Sequence, residues 1–481
     1  MSTESPKSNL IGPYTLAFVS GATLMIVELC SARILATFFG SSIHVWAGII
    51  AATLLASSFG AWHAGKILEK SNTIKVVANN LYLAGLGSIL TAWSIPIIAT
   101  KLSLPNLPPV LPATLVALAG LGLPAYALGG LFPTATKWAF DLTSKIGRSA
   151  GSCSAISTLG SVFGTLLTPI AIIPNIPLST TFLFLGASIS IAGLLIKYSH
   201  WKILPLVIAC IVASTDYEIG LWKHEYILLD KKESQYQTIR IFNKDNTTTI
   251  MLNRQPAGAI KLENYLQPEV FDYTKFWRLI GDSTESKKAL YLGGGAYTQP
   301  TAHARNRPQD LISVVEIDPM VTSMAEKFLG KPTTIKTIHE DARVALGTLP
   351  DDTYDFIFMD TFADAACIPV HLATTKFFDE IKSKLRPDGM LLINVISDRT
   401  SERNVRSYIS AAVSKNFKYL KTFECPARAG VQKTNFVLVA TSLPIKFSTT
   451  ASTDEILSWE TQNKVAADAP SDDFTVIDYL Q

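Results

Sequence analysis

In the carboxyl-terminal half of the chain, four successive apolar runs end in residues suited to holding or activating a polar ligand. ALYLGGG ends in Gly293, Gly294 and Gly295, LISVVEI closes on Glu316, TIKTIHEDA reaches Asp341, and YDFIFMD ends in Asp360. Glycines after a strand let the backbone turn sharply and approach a nucleotide closely. An acid at the end of the next strand is placed to accept hydrogen bonds from ribose hydroxyls, and a carboxylate on the same rim can take a proton from a reacting group. His371, in IPVHL, lies downstream of Asp360 and reads either as a proton shuttle or as a helix-cap residue. Cys367, in the same loop, has no basic neighbour to stabilise a thiolate and reads as inert. The five cysteines are scattered, without CxxC or zinc-ligand spacing to histidine, so no metal site is expected.

Placing these residues on one rim requires alternating strands and helices. The strands ALYLGG, LISVVEI, TIKTIHE, YDFIFMD and MLLINVI, separated by helical segments such as PMVTSMAEKFL and TTKFFDEIKSKL, predict a doubly wound parallel sheet. LKTFE and NFVLVA are expected to close its edge. Upstream, HEYILLD, YQTIRIF and TTTIMLN alternate with period two and predict a small antiparallel sheet of two or more strands.

The amino-terminal half has a different composition. Residues 1 to 215 hold 11 Lys/Arg and 4 Asp/Glu, against 31 and 35 in the remainder of the 481 residues. Apolar windows about 20 residues long, the length of a membrane span, lie near 13 to 39, 43 to 65, 75 to 99, 109 to 132, 150 to 174 and 178 to 197, with a shorter run at 203 to 214. Positive residues collect on alternate connections (Lys66, Lys70 and Lys75; Lys137, Lys145 and Arg148; Lys197 and Lys202), which predicts a cytoplasmic amino terminus retained as the first span. The glycines of SAGSCSAISTLGSVFG (Gly151, Gly160 and Gly164) predict close helix packing. Glu28 lies near the middle of the first span and Arg33 follows five residues on. They read equally as a polar-ligand or cation site and as an interhelical hydrogen bond. The fold class is therefore a multi-span α-helical membrane bundle (1 to 215), a small antiparallel β subdomain (216 to 275) and a Rossmann-like, class I methyltransferase-type domain (276 to 481). The low charge density and positive mean hydropathy exclude a nucleic-acid-coating or disordered chain.

YLGGGAYTQP, VVEIDP, HEDARVAL and FIFMDTFADAACIPVHLATTKFFDEIKSKLRPDGMLLINV together resemble the polyamine aminopropyltransferases (spermidine synthases). With the first span, SGATLMIVELCSARILATFFGSSIHVW, they resemble the branch in which membrane helices precede the catalytic domain. The resemblance implies decarboxylated S-adenosylmethionine, or S-adenosylmethionine, as co-substrate with no prosthetic group. It also implies a small-molecule amine as acceptor, the lipid bilayer as surroundings and a multi-pass protein of the cell membrane with its soluble domain in the cytoplasm. Homo-oligomer formation stays open. By position, Gln237 matches a nucleoside-contacting glutamine, Glu316 the ribose-binding acid, Asp341 and Ala342 the adenine-side pair, and Asp360 the catalytic aspartate. Tyr273 matches a tyrosine near the amine pocket, where Asp364 and His371 also fall, and PSDDFTVIDYL resembles the family's carboxyl end. Three positions depart from the pattern. Ala296 stands where the family carries an aspartate, Tyr291 and Leu292 precede the glycines without an acid, and Asn253 and Arg254 replace a frequent Asp-Gly. A methyltransferase using intact S-adenosylmethionine, and a non-catalytic transporter or sensor binding polyamine or nucleoside, are the alternatives.

Overall fold

The long helices of the amino-terminal half leave large apolar side chains outward and small residues between them. A computed structural model describes residues 10–39, 43–102, 110–214, 226–264, 266–281, 285–362, 368–400, 404–426, 432–445, 447, 451–466 and 469–471. The chain divides into two units, Met1–Lys223 and His224–Gln481.

In the first unit, α1 (Ile11–Phe39), α2 (Ile43–Leu68), α3 (Thr73–Lys101), α4 (Val110–Thr143), α5 (Ile146–Asn175) and α6 (Leu178–Ile196) are, among the described residues, the helices long and apolar enough to cross a membrane. Glycines bring three pairs into backbone contact. A Cβ on Gly60 of α2 would lie 1.8 Å from the Tyr126 carbonyl oxygen of α4, and one on Gly85 of α3 would lie 2.6 Å from that of Gly186 in α6. Gly160 and Gly164 of α5 press in the same way on the Phe18 and Ala22 carbonyls of α1, whereas Gly151 faces open space. The expected close packing thus holds at two of the three glycines. Gly151 lies on the outward face of α5, since Ser149 and Cys153 on either side of it are buried. The apolar run at 203 to 214 forms a helix of 11 residues, α7 (Leu204–Ser214), about 16 Å long against a hydrocarbon core of about 30 Å.

In the second unit, β1 (Ile227–Glu233), β2 (Thr238–Lys244), β3 (Thr247–Leu252) and β4 (Gln255–Lys261) form an antiparallel sheet in chain order. The fourth strand escapes sequence reading because Pro256 and Gly258 interrupt its pattern. A 3₁₀ helix (Asp272–Ile280) follows. The main sheet contains β5 (Lys288–Leu292), β6 (Leu311–Val315), β7 (Lys336–Ile338), β8 (Tyr354–Met359), β9 (Leu385–Asp398), β10 (Tyr419–Glu424), β11 (Lys433–Thr441) and β12 (Glu460–Thr461), in the order 12-10-11-9-8-5-6-7. The strands from β5 to β9 pair in parallel, and β11 inserts antiparallel between β9 and β10. This reversed hairpin at the carboxyl-terminal edge is the methyltransferase-type Rossmann arrangement. The crossovers are α8 (Thr298–Asn306), α9 (Pro319–Phe328), α10 (Ala342–Thr348), α11 (Thr375–Lys384) and α12 (Val405–Ser414); α13 (Ala451–Leu457) lies between β11 and β12.

Strand alternation feeds two cores. Ala289, Tyr291, Val314, Phe358 and Leu392 pack with Phe276 and Trp277 of the 3₁₀ helix and with Ile239, Ile241 and Ile250 of the small sheet. Leu290, Leu292, Ile357, Met359, Leu391 and Ile393 face Phe377, Phe378 and Ile409 instead. The small sheet is thereby fixed over one face of the main sheet, close to the carboxyl ends of β5 and β8. Parallel sheets bind ligands where strand order reverses, and here that point is β5, between β6 and β8.

Candidate active site

At the end of β5 the chain turns through Gly293 (φ 92°), Gly294 and Gly295 (φ 49°). A Cβ on Gly293 would stand 2.2 Å from the Asp360 carbonyl oxygen, so only glycine lets the ends of β5 and β8 approach this closely. The turn aims the Gly294 N–H at Glu316 Oε2 (2.8 Å), while the Asp318 N–H donates to Oε1 (2.9 Å). Glu316 is buried. Burial pushes its carboxyl up to about 7 despite these amides and that of Gly295, because removing a carboxylate from water costs more than three backbone donors return.

Asp318 caps α9 by accepting from the Met320 N–H (3.0 Å), and its second oxygen accepts from Ser234 Oγ (2.5 Å) and Gln237 Nε2 (3.4 Å). Gln237 is thus steered from the small sheet toward the end of β6 in the cleft. Asp341 caps α10 through the Arg343 and Val344 N–H groups (2.9 and 3.3 Å), and its other oxygen lies 3.0 Å from His371 Nε2. Burial acts to raise the Asp341 carboxyl, but the His371 contact and the cap amides outweigh it and hold it below the ordinary range. His371 therefore partners Asp341.

Asp360 is the end of a polar chain crossing three strands. Asn435 Nδ2 donates to Asn394 Oδ1 (2.9 Å), and Asn394 Nδ2 donates to Asp360 Oδ1 (2.8 Å). The Tyr273 hydroxyl bonds to the same carboxylate and lies 3.3 Å from the Ala257 carbonyl oxygen. Burial pushes Asp360 up to about 6, partly offset by Asn394 and Tyr273. The Tyr273 phenol, partly desolvated beside this carboxylate, is held well above its ordinary range and stays a proton donor. A carboxyl at about 6 is largely ionised at neutral pH and basic enough to accept a proton.

These groups line one cavity of about 500 Å³. Of the residues expected from sequence, Gln237, Tyr273, Gly293, Gly295, Glu316, Asp341, Ala342, Asp360 and His371 line it, and Gly294 supports it through Glu316. Asp364 and Cys367 lie outside the described residues, as does PSDDFTVIDYL beyond Ser471. Asn253 and Gln255 face the cavity, whereas Arg254 is not among the residues lining it. Asn253 adopts φ 54° and accepts from the Thr238 N–H (3.0 Å). Ala296 is buried, and a Cβ on Gly258 of β4 would meet its own Cβ at 2.2 Å. Sequence reading missed Asn394 and Asn435. Their only signal is an amide inside an otherwise apolar strand.

Residues 280–447 match the family model of the spermine/spermidine synthase domain. The polyamine aminopropyltransferase of Vibrio vulnificus (strain CMCP6) is 29% identical over 229 residues, which is 45% of this chain and 73% of that one. The probable polyamine aminopropyl transferase of Bifidobacterium longum (strain NCC 2705) is 27% identical over 132 residues, 27% of this chain and 29% of that one. A crystal structure of a probable spermidine synthase from Corynebacterium glutamicum superposes with a TM-score of 0.45 at 20% identity, covering 51% of this chain and 97% of that one.

Proposed function

Starting from a soluble unit that carries a spermine/spermidine synthase domain, we propose that the protein is a membrane-anchored aminopropyltransferase. Its donor is decarboxylated S-adenosylmethionine and its acceptor a small amine. The observation that carries this reading is the placement of Asp360. It is half-buried, fixed by Asn394 and Tyr273, and opens onto the cavity that Glu316 and Asp341 also line.

In this reading Glu316 accepts from the ribose hydroxyls, Asp341 and Ala342 hold the adenine side, and Gln237 contacts the nucleoside. Tyr273 borders the amine, whereas His371, expected there too, pairs with Asp341 on the adenine side. The acceptor nitrogen uses its lone pair to form a bond to the methylene carbon next to the sulfonium. The carbon–sulfur bond breaks, its electron pair neutralises sulfur, and methylthioadenosine leaves. The proton released from the new secondary ammonium passes to the Asp360 carboxylate. Alignment in the cavity and proton acceptance are the two contributions the protein makes.

The six long apolar helices and the distribution of positive charge support a multi-pass membrane anchor with the soluble unit on the cytoplasmic side. An engineered cysteine near Lys223 that reacted readily with an impermeant reagent on intact cells would contradict that orientation. Methyl transfer from intact S-adenosylmethionine is the second reading, favoured by the methyltransferase-type strand order. Incubation of purified protein with each labelled nucleoside and an amine separates the two. Methylthioadenosine as the sulfur product supports aminopropyl transfer, and S-adenosylhomocysteine refutes it.

A further inference from the structure

Beside the main cavity lies a second space of about 10 Å³, walled by Ala296, Thr298 and Gln299 and sharing Tyr273, Gly293 and Asp360 with its larger neighbour. Gln299, in the first turn of α8, is 8% exposed, and its side-chain amide has no hydrogen-bond partner among the described residues. The adjacent Thr298 hydroxyl is already satisfied by the Ala259 carbonyl (3.2 Å). The amide is reachable from this space, where a water or a ligand group can complete it. The space is about that of one water molecule. An ammonium has that size, whereas an ammonium and a carboxylate on one carbon do not fit together.

We infer that Gln299 is a donor-selecting residue, its carbonyl oxygen accepting from a lone terminal ammonium on the nucleoside's tail. This inference rests on the aminopropyl-transfer reading and specifies how that site distinguishes decarboxylated from intact S-adenosylmethionine. The shared wall is the reason for the position. A nucleoside seated on Glu316 with its sulfonium near Asp360 can extend a three-carbon tail past Gly293 into the small space. There the amide supplies direction and the Asp360 carboxylate at the mouth supplies the opposing charge.

The test is calorimetry on the full-length protein in detergent with three nucleosides: decarboxylated S-adenosylmethionine, intact S-adenosylmethionine and methylthioadenosine, which lacks the charged tail. The wild type is expected to bind the decarboxylated nucleoside most tightly. Gln299→Leu should weaken it by about 10- to 100-fold, the range for a hydrogen bond to a charged group, and leave methylthioadenosine within about twofold. Gln299→Glu should retain tight binding of the decarboxylated form. Equal losses for all three nucleosides in Gln299→Leu would mean a collapsed loop and overturn the assignment. An unchanged affinity for the decarboxylated form, or a wild-type preference for the intact one, would overturn it as well. Methylthioadenosine binding in the wild type separates these failures from failure of the functional reading, since a protein that binds none of the three refutes both.

Discussion

Replacing Asp360 by asparagine should make the protein more stable and nearly inactive, and both effects follow from one cost. Burial raises the carboxyl from 3.8 to about 6. Below pH 3.8 it is neutral in both folded and unfolded chains and costs nothing. As pH rises toward 6 the unfolded chain ionises first, so stability falls, and above 6 the penalty is constant. At about 1.4 kcal/mol per pH unit the full penalty is about 3 kcal/mol. Asparagine never ionises. Its oxygen can keep the Asn394 amide, and Tyr273 can turn its proton to the Ala257 carbonyl while accepting from the new amide. The stability gained by Asp360→Asn should therefore be about 2 kcal/mol larger at pH 8 than at pH 4.5, where about 1 kcal/mol of the penalty remains. Hydrogen exchange of the β5 and β8 amides in the full-length protein measures that difference, and the titration of Glu316 cancels between the two proteins. Methylthioadenosine release should fall by about two to four orders of magnitude. A stability gain independent of pH would show that the carboxyl is not held near 6, and surviving turnover would show that it is not the proton acceptor.

Other perturbations separate the remaining parts of the site. With ribose hydroxyls donating to Glu316, as proposed, nucleoside affinity should rise from pH 6 to pH 8 through its value of about 7, with proton release seen calorimetrically. Glu316→Ala should weaken binding by about 10- to 150-fold. In Asn394→Leu the acid limb of kcat/KM should move upward from about 6 by about 1 to 2 pH units, the equivalent of one hydrogen bond to a charged group. Asn435→Leu, acting only through Asn394, should move it less. In the helical unit, Gly60→Val should destroy the backbone contact of α2 with α4 and abolish folded protein in detergent, whereas Gly151→Ala, with open space around it, should leave the melting temperature unchanged or raised.

Groups that announce themselves one at a time were legible before the fold was known. Gly293 to Gly295, Glu316, Asp341 and Asp360 each end an apolar strand, and alternating or apolar runs placed ten of the twelve described strands. Neutral side chains were harder. Asn394 and Asn435 matter because β9 and β11 pair with Val395 opposite Phe436, which turns both amides to one face, and antiparallel insertion of β11 is invisible in composition. Gln299 follows the same logic, since an amide at the start of a helix becomes informative only once its lack of a partner is known. β4 was hidden by Pro256 and Gly258, and the two-residue β12 is too short to show a period. The alanine at 296 was visible as a departure, but its reason, close contact with Gly258, needed the small sheet in place.

The strand order also sets a schedule. Glu316 and Asp341 belong to the early strands β6 and β7, while Asp360 waits for Asn394 of β9 and Asn435 of β11. A chain emerging from its amino terminus completes the long helices first, then the strands that lead to Glu316 and Asp341, and acquires the full hold on Asp360 last. A nascent or truncated chain ending before β11 keeps Asn394 on Asp360 but lacks the Asn435 amide that orients it. Competence for the reaction arrives only with the final third of the protein.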